Sequence, residues 1–307
     1  MVNPTWFGGP CSRAILPRRR QKASVEQRLP CKPGVLQKGD AYTTVVDAMN
    51  KLSVIMAAAI LSVLGAVKAD DTSKTNEVTG KKGNGVGMSD PCVAQAQDKP
   101  WFSGSDWLAH HAELLARRDR LHDTQLVFLG DSITAGWLTD GRAAWERYFA
   151  HYNPLNLGIS GDETSHVLWR IEHGELDGIT PRVVVLLIGT NDIGNSGQSG
   201  EDAAKGVRCI VQKIRASLPA TRILLLAVFP RDEQPHTKFR REIHALNAGI
   251  STLHDGRTVY YLDLSSTFLN ADGSLPRDLF PDTLHLSAKA YEMWAKAMMP
   301  TLRQLTE

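Results

Sequence analysis

Residues 182–188 read RVVVLLI and are followed at once by GTND at 189–192. A run of β-branched and aliphatic residues with no interior charge is typical of a strand buried on both faces of a parallel sheet. Four further short apolar runs have the same character. They lie at residues 125–129, 154–157, 223–228 and 259–262. Together the five runs predict a parallel sheet.

Segments with apolar residues at helical spacing alternate with these runs. We predict helices at 106–120, 142–150, 165–173, 201–217, 238–254 and 287–305. Because parallel strands need long crossover connections, this alternation predicts an α/β fold. The expected architecture is a three-layer α/β/α sandwich with a five-stranded parallel sheet, in one domain over residues 104–307.

Composition and charge exclude several classes of protein. The 307 residues are 42% hydrophobic and 22% charged, which is globular composition and excludes a wholly disordered chain or a disulfide-dense miniprotein. Residues 1–69 hold ten Lys/Arg and three Asp/Glu, whereas residues 70–307 hold 25 and 30. The mildly acidic main body gives no support to binding of nucleic acid or of an anionic membrane.

The segment 49–69 has the pattern of a secretory signal peptide. Lys51 supplies a positive start, residues 52–67 are apolar, and small residues precede a predicted cleavage after Ala69. We therefore predict a secreted or periplasmic protein with no stable membrane insertion after cleavage. The apolar run is shorter than the roughly 20 residues that span a bilayer. An uncleaved N-terminal membrane anchor and a core helix remain the alternatives.

Residues 1–48 precede this signal and are predicted to be an untranslated extension of the gene model or a disordered basic leader. Residues 70–103 are rich in Asp, Lys, Gly, Ser and Thr, which predicts a flexible linker. The mature chain would keep Cys92 and Cys209. Both a disulfide between them and a buried thiol at Cys209 stay open at this point.

Polar and glycine-rich residues follow the predicted strands. Ser132, Gly161 and Asn191 come after the first, second and third strands, and Asp282 and His285 precede the last helix. The carboxyl ends of parallel strands form one edge, where α/β folds place their sites. A serine nucleophile, a histidine base, a carboxylate that orients it and N–H donors for an oxyanion are the groups that ester hydrolysis needs.

Each of these residues also has a purely structural explanation. Ser132 is a candidate helix N-cap, Gly161 a turn glycine, and Asn191 a bridge between loop backbones. The Asp282–His285 pair is compatible with a surface ion pair or half of a metal site. No GxSxG motif occurs, which disfavours the nucleophile elbow of the α/β-hydrolases.

Taken together, four blocks resemble those of the SGNH, or GDSL, hydrolase superfamily. They are GDSIT at 130–134, NLGISGDET at 156–164, GTND at 189–192 and DTLH at 282–285. Residues 156–192, and LLLAVFPRDEQP at 224–235, are similar to the branch containing the catalytic subunits of intracellular platelet-activating-factor acetylhydrolase. Bacterial relatives of this branch resemble carbohydrate O-acetylesterases.

The resemblance implies a role for each matching residue. Ser132 would be the nucleophile, His285 the general base and acid, and Asp282 the group that orients the imidazole. The backbone N–H groups of Ser132 and Gly161 and the side chain of Asn191 would form the oxyanion hole. The fold would be the flavodoxin-like SGNH hydrolase fold, with no metal or organic cofactor.

The resemblance and the signal peptide together predict a secreted serine esterase for short-chain acyl esters, chiefly acetyl esters, of carbohydrates or small molecules. Secretion does not fit the intracellular animal enzymes, so their phospholipid substrate is not carried over. A lysophospholipase or thioesterase for longer chains is the alternative within this chemistry. A non-catalytic glycan- or envelope-binding module and a metal-dependent hydrolase are alternatives from other classes. Animal relatives pair, so a homodimer stays open. Two further expectations concern neighbouring residues. We expect helix packing and capping, not substrate contact, from His166, Trp169 and Arg170. The candidates to line the pocket are Trp137, Asn195 and Phe280.

Overall fold

The computed structural model describes residues 92–307. The predicted leader at 1–48, the signal peptide at 49–69 and linker residues 70–91 lie outside the described residues. The strands are β1 Leu126–Gly130, β2 Leu155–Gly158, β3 Val183–Leu187, β4 Arg222–Leu226 and β5 Val259–Leu262. The helices are α1 Gly104–Arg118, α2 Ser132–Ala135, α3 Arg142–Tyr148, α4 Thr164–Glu172, α5 Thr190–Gly194, α6 Gly200–Ser217, α7 Lys238–Ser251, α8 Ser265–Phe268 and α9 Ala288–Thr306.

The five strands form one parallel sheet in the order β2-β1-β3-β4-β5. This is the flavodoxin-like order, in which the winding reverses between β1 and β3 and leaves a crevice beyond their carboxyl ends. Gly130 at the end of β1 lies opposite Gly158 on β2 and Leu187 on β3. The loops after these three strands therefore start level with one another.

Helices cover the sheet in two groups. Helices α4, α6 and α7 pack side by side, and α3 packs against α9. Every residue of β1, β2 and β3 is buried, as a strand covered on both faces requires. The predicted α/β/α sandwich with a five-stranded parallel sheet is confirmed. Within residues 92–307, none of the helices has the length and apolar character that crossing a membrane would take.

Residues 92–103 differ from the prediction of a flexible linker, because they pack against the domain. Cys92 forms a disulfide with Cys209 on α6, with the two Cα atoms 5.8 Å apart. Gln97 is fully buried, and its Nε2 donates 3.2 Å hydrogen bonds to the Ser160 carbonyl and to Asp162 Oδ1. Polar composition alone could not reveal the covalent link or the buried amide that hold this segment.

The buried side chain of Arg170, on α4, joins the sheet edge to the loop after β2. Its guanidinium donates to the carbonyls of Leu157 at 2.9 Å and Gly130 at 3.2 Å. Its Nε lies 2.8 Å from Asp162 Oδ2, and its Nη1 pairs with Glu175. The predicted packing role of Arg170 is confirmed, and the loop after β2 is fixed relative to the end of β1.

The first turn of α4 is capped by a buried histidine. Glu163 N donates a 2.9 Å hydrogen bond to His166 Nδ1, and the Glu163 side chain accepts from the His166 backbone in return. Burial, together with the positive charges of Lys99 and Arg170, lowers the pKa of His166 to about 3. The predicted capping role of His166 is thereby confirmed, and it depends on a neutral imidazole.

Removal of the disulfide should destabilise the fold without changing its architecture. The bridge closes a loop with a sequence separation of 117. We expect Cys92→Ser/Cys209→Ser to lose about 2–4 kcal/mol of unfolding free energy, measured by urea denaturation. Reductant should lower the stability of the wild type and leave the double variant unchanged. Equal stability of the two proteins under oxidising conditions would contradict the prediction.

Acid should weaken the fold through His166. The unfolded chain binds a proton at this histidine near pH 6.5, whereas the folded chain keeps it neutral to about pH 3. The stabilisation that depends on a neutral His166 is therefore complete above pH 6.5. It is lost as the pH falls, by up to about 1.4 kcal/mol of unfolding free energy per pH unit. Urea unfolding of His166→Asn between pH 7 and 4 should show a shallower loss than the wild type. Parallel pH profiles would refute this assignment.

Candidate active site

The structure brings together Ser132, His285 and Asp282, which lie 153 and 3 positions apart in sequence. Ser132 Oγ is 2.9 Å from His285 Nε2, and His285 Nδ1 is 2.6 Å from Asp282 Oδ2. A carboxylate can only accept, so Nδ1 carries the imidazole proton. The lone pair of Nε2 then accepts from the Ser132 hydroxyl, which is the tautomer that a general base needs.

A strained turn presents Asp282 to the histidine. Asp282 Oδ1 accepts the backbone N–H groups of Leu284 at 2.9 Å and His285 at 2.7 Å. Partial burial favours the neutral acid, but these bonds and the one from the His285 side chain outweigh it, and the pKa of Asp282 is lowered. Thr283 adopts φ +67°, and its carbonyl accepts from Asp232 N at 3.0 Å. The carboxylate is thus held ionised and aimed at the imidazole.

Ser132 is the first residue of α2, directly beyond the end of β1. The side chain of Asp131 accepts from Ile133 N at 2.9 Å, so Asp131, and not Ser132, is the N-cap. Burial raises the pKa of Asp131 to about 6, against the opposing hydrogen bond from Ile133. A Cβ at Gly130 would meet Leu187 O at 2.2 Å, so the turn that exposes Ser132 requires glycine there.

Gly161 and Asn191 come from neighbouring loops that one hydrogen bond joins. Asn191 Nδ2 donates to the carbonyl of Asp162 at 3.0 Å. A primary amide carries two N–H groups, so this bond leaves the second available for an oxyanion. Gly161 has φ +78°, a conformation that favours glycine. Asn191 therefore does bridge two loops, and the bridge sets the angle of its remaining donor.

Asp192 fixes the segment after β3 through hydrogen bonds with Thr164. Its carboxylate accepts from Thr164 N at 3.1 and 3.2 Å and also from the Thr164 hydroxyl. Burial raises the pKa of Asp192 to about 7, and the hydrogen bonds from Thr164 oppose that shift. The aspartate of the GTND block thus has a structural part, tying the segment that carries Asn191 to the start of α4.

Arg231 lies near the site, and no role was predicted for it beyond its place in the similar stretch 224–235. Its Nη1 donates to the Thr190 carbonyl at 3.2 Å, and its guanidinium carbon lies 4.5 Å from the centre of the Phe239 ring. Burial lowers its pKa, whereas the negative charges of Asp232, Asp131 and Asp282 raise it. Arg231 is therefore a cation within electrostatic range of the carboxylates around the triad formed by Ser132, His285 and Asp282.

The triad lies on an open surface. The side chains of His285 and Asp282 are 46% and 55% exposed. A cavity of about 430 Å³ lies between α7 and the residues that follow β4 and β5. Its lining includes Arg240, His244 and Asp263 and none of Ser132, His285 and Asp282. The imidazole and its carboxylate are therefore accessible from solvent.

Two of the three predicted pocket-lining residues are core residues. Trp137 and Phe280 are fully buried, and Trp137 packs in an aromatic cluster with Trp294 at a centroid distance of 4.5 Å. Asn195 is exposed at the end of α5. The prediction for Trp137 and Phe280 is wrong because sequence position near a motif does not reveal which face of a turn points inward. Trp169 packs at 5.0 Å from Trp107, as expected of helix packing.

No group of three or more His, Cys, Asp or Glu side chains within residues 92–307 has an arrangement that could hold a metal ion. The reactive groups that the site does bring together are those already described. These are a hydroxyl nucleophile paired to a base, a carboxylate behind the base, and backbone and amide N–H donors at the same sheet edge.

Comparison with known proteins shows the family to which the chain belongs. Residues 128–293 match the model of the GDSL-like lipase/acylhydrolase family. The chain is 34% identical over 228 residues to platelet-activating factor acetylhydrolase IB subunit alpha2 of Gallus gallus, covering 72% of this chain and 94% of that protein. It is 32% identical over 201 residues to the alpha1 subunit of Homo sapiens, covering 65% and 84%.

A solved structure shares the fold. The GDSL-like lipase of Bacteroides thetaiotaomicron superposes with a TM-score of 0.55 at 18% identity, covering 64% of this chain and 98% of that one. The family match spans more than half of the chain, from β1 into α9, and includes all four sequence blocks. The chain therefore belongs to the GDSL-like lipase/acylhydrolase family and is a carboxylic ester hydrolase.

Proposed function

We propose that the protein is a secreted serine esterase that removes short acyl groups, chiefly acetyl, from carbohydrates or small molecules. The observation that carries the catalytic part is the hydrogen-bonded series from Ser132 Oγ through His285 to Asp282. This series supplies a nucleophile, its base and the group that orients the base, which is the requirement for two-step acyl transfer.

The first step forms an acyl-enzyme. His285 Nε2 takes the Ser132 hydroxyl proton as Oγ attacks the ester carbonyl carbon, and Asp282 stabilises the imidazolium that results. The carbonyl oxygen becomes an oxyanion that accepts from the N–H groups of Ser132, Gly161 and Asn191. His285 then gives its proton to the departing alcohol oxygen, and the C–O bond of the ester breaks.

The second step returns the enzyme. His285 takes a proton from water as the water oxygen attacks the acyl carbon, and a second oxyanion occupies the same donors. Collapse breaks the bond to Ser132 Oγ, which regains its proton from His285. The carboxylic acid leaves, and the residues are as they began.

Two observations support a short acyl group. The curated relatives with 32–34% identity bear the name acetylhydrolase. The His285 and Asp282 side chains are about half exposed to solvent. A long acyl chain gains from an apolar channel next to the nucleophile, whereas an acetyl methyl group needs none. A lysophospholipase or thioesterase for longer chains is the competing outcome of the test below.

Secretion is the part of the proposal that depends on the segment from Met49. The disulfide between Cys92 and Cys209 supports it, because disulfides persist in oxidising compartments such as the periplasm and the cell exterior. An N-terminal membrane anchor would place the domain in the same compartment. Pairing of two copies stays a prediction of the resemblance.

Loss of the nucleophile should abolish ester hydrolysis. We expect the wild type to cleave p-nitrophenyl acetate faster than any p-nitrophenyl ester up to C12, and Ser132→Ala to lower kcat by about 10⁴–10⁶. Ser217→Ala is the matched control, since Ser217 is exposed at the end of α6, at the opposite edge of the sheet. Fastest cleavage of long chains would favour the lipase or thioesterase. A fully active Ser132→Ala would overturn the mechanism.

Removal of the amide donor should slow the chemical step. Asn191→Ala takes away one oxyanion donor, and we expect kcat for p-nitrophenyl acetate to fall about 10²–10³-fold with little change in KM. Gln212→Ala, which removes an exposed primary amide from α6, is the control and should keep its activity. Thermal unfolding of both variants checks that the loops remain folded. A change confined to KM would remove Asn191 from the oxyanion hole.

A further inference from the structure

Trp101 is a large apolar side chain that the fold leaves in water beside the active site. It is 59% exposed. A Cβ added at Gly161 would meet Trp101 Cη2 at 2.1 Å, so the edge of the indole rests on the α-carbon of that glycine. The backbone N–H of Gly161 is one of the oxyanion donors proposed above. An exposed aromatic ring therefore touches the residue that would hold the reacting carbonyl oxygen.

The segment that carries Trp101 is held firmly. Lys99 and Phe102 exchange two backbone hydrogen bonds, at 3.1 and 3.0 Å, which close a tight turn around Trp101. Lys99 pairs with Glu163, at the start of α4. Gln97 donates to both sides of Gly161 in sequence, at the Ser160 carbonyl and at Asp162 Oδ1. The turn is thereby fixed to the loop after β2 and not to the core.

Stability does not explain the position of this ring. Phe102 stacks on it at a centroid distance of 6.2 Å and an interplanar angle of 17°. More than half of the indole surface still faces solvent. Burying that surface would be favourable, and an aromatic ring kept exposed beside a site is typical of a binding surface.

We propose that Trp101 is a platform on which the sugar ring of an acetylated carbohydrate packs while its acetyl group reaches Ser132. The inference rests on the proposed function and specifies the alcohol part of the substrate. With the carbonyl oxygen at Gly161, the ester has two groups that could reach the indole. The acetyl methyl is too small to cover it, so the alcohol part must do so.

The chemistry of the surface favours a saturated ring. A pyranose presents a face of C–H bonds that packs against an aromatic ring, and its hydroxyl groups stay in water around an open site. The His285 and Asp282 side chains are about half exposed, so the rest of an oligosaccharide can extend into solvent from Trp101. The platform thus supplies an apolar binding surface next to the loop that carries Gly161.

The test compares two acetate esters that differ in the alcohol. Acetylated xylooligosaccharides carry a ring that can cover the indole, and ethyl acetate does not. We expect Trp101→Ala to lower the ratio of the two kcat/KM values, sugar over ethyl, about 10-fold, mainly through KM for the sugar. Trp101→Phe should restore most of the ratio. Leu108→Ala, which removes another exposed apolar side chain from α1, should leave the ratio unchanged.

Three results would overturn the platform. Equal loss on both substrates would mean that Trp101 only supports the oxyanion loop. An unchanged ratio would mean that the ring is idle. A loss on p-nitrophenyl esters that grows with acyl length would place the acyl chain, and not the sugar, on the indole.

A binding measurement separates failure of the platform from failure of the esterase function. In the Ser132→Ala background, acetylated xylooligosaccharide should bind by calorimetry, and the added Trp101→Ala change should weaken binding about 10-fold. A wild type that cleaves neither ester contradicts the esterase function, while the same titration still decides the platform. Equal binding with and without Trp101 overturns it.

Discussion

One buried cation holds the active-site edge of this protein together. Arg170 is fully buried and contacts the ends of β1 and β2, the carboxylate of Asp162 and that of Glu175. Burial raises the pKa of both acids, and the guanidinium opposes that shift. Removing one partner of such a buried pair typically costs about 3–5 kcal/mol, because an uncompensated charge remains. The relation between the sheet and the loop after β2 thus depends on Arg170.

Asp162 links Arg170 to the loops that carry the oxyanion donors proposed above. Its carboxylate accepts from Trp107 on α1 at 2.8 Å and from Gln97 at 3.2 Å, and its carbonyl accepts from Asn191 at 3.0 Å. One aspartate therefore connects the N-terminal segment, α1, α4 and the loop after β3. The rigid position of the donors, and of Trp101 beside them, follows from these contacts and not from the conformation of any one loop.

The acid–base side of the site is built differently. Asp282 and His285 lie on an exposed turn that also contains Thr283. Thr283 and Asp232, on the loop after β4, both have left-handed backbone, and Asp232 N donates a hydrogen bond to the Thr283 carbonyl. Left-handed backbone at non-glycine residues costs of order 1 kcal/mol or more and persists where surrounding contacts fix it. The proposed oxyanion donors are thus held by buried ionic contacts, whereas the histidine and its carboxylate lie on an exposed turn with strained backbone. An exposed base is accessible to a substrate that arrives from solvent.

The amino-acid sequence was sufficient to predict the sheet and to place the candidate reactive side chains along one of its edges. Runs such as 182–188 are typical of buried strands, and glycine-ended strands followed by Ser132, Gly161 and Asn191 place their polar groups at one edge of a parallel sheet. Local patterns are sufficient there because strand burial and loop position depend on nearby residues. The close pairing of Ser132 with His285 could be expected from the resemblance, but its distance could not.

The surroundings of these side chains, in contrast, became known only from the three-dimensional packing. Residues 92–103 have the composition of a linker, yet the disulfide to Cys209 and the buried Gln97 place Trp101 on the oxyanion loop. Trp137 was predicted as a candidate pocket residue, but it is a fully buried core residue. Such outcomes depend on contacts between residues far apart in the chain. The free energy of these contacts cannot be estimated from local sequence patterns.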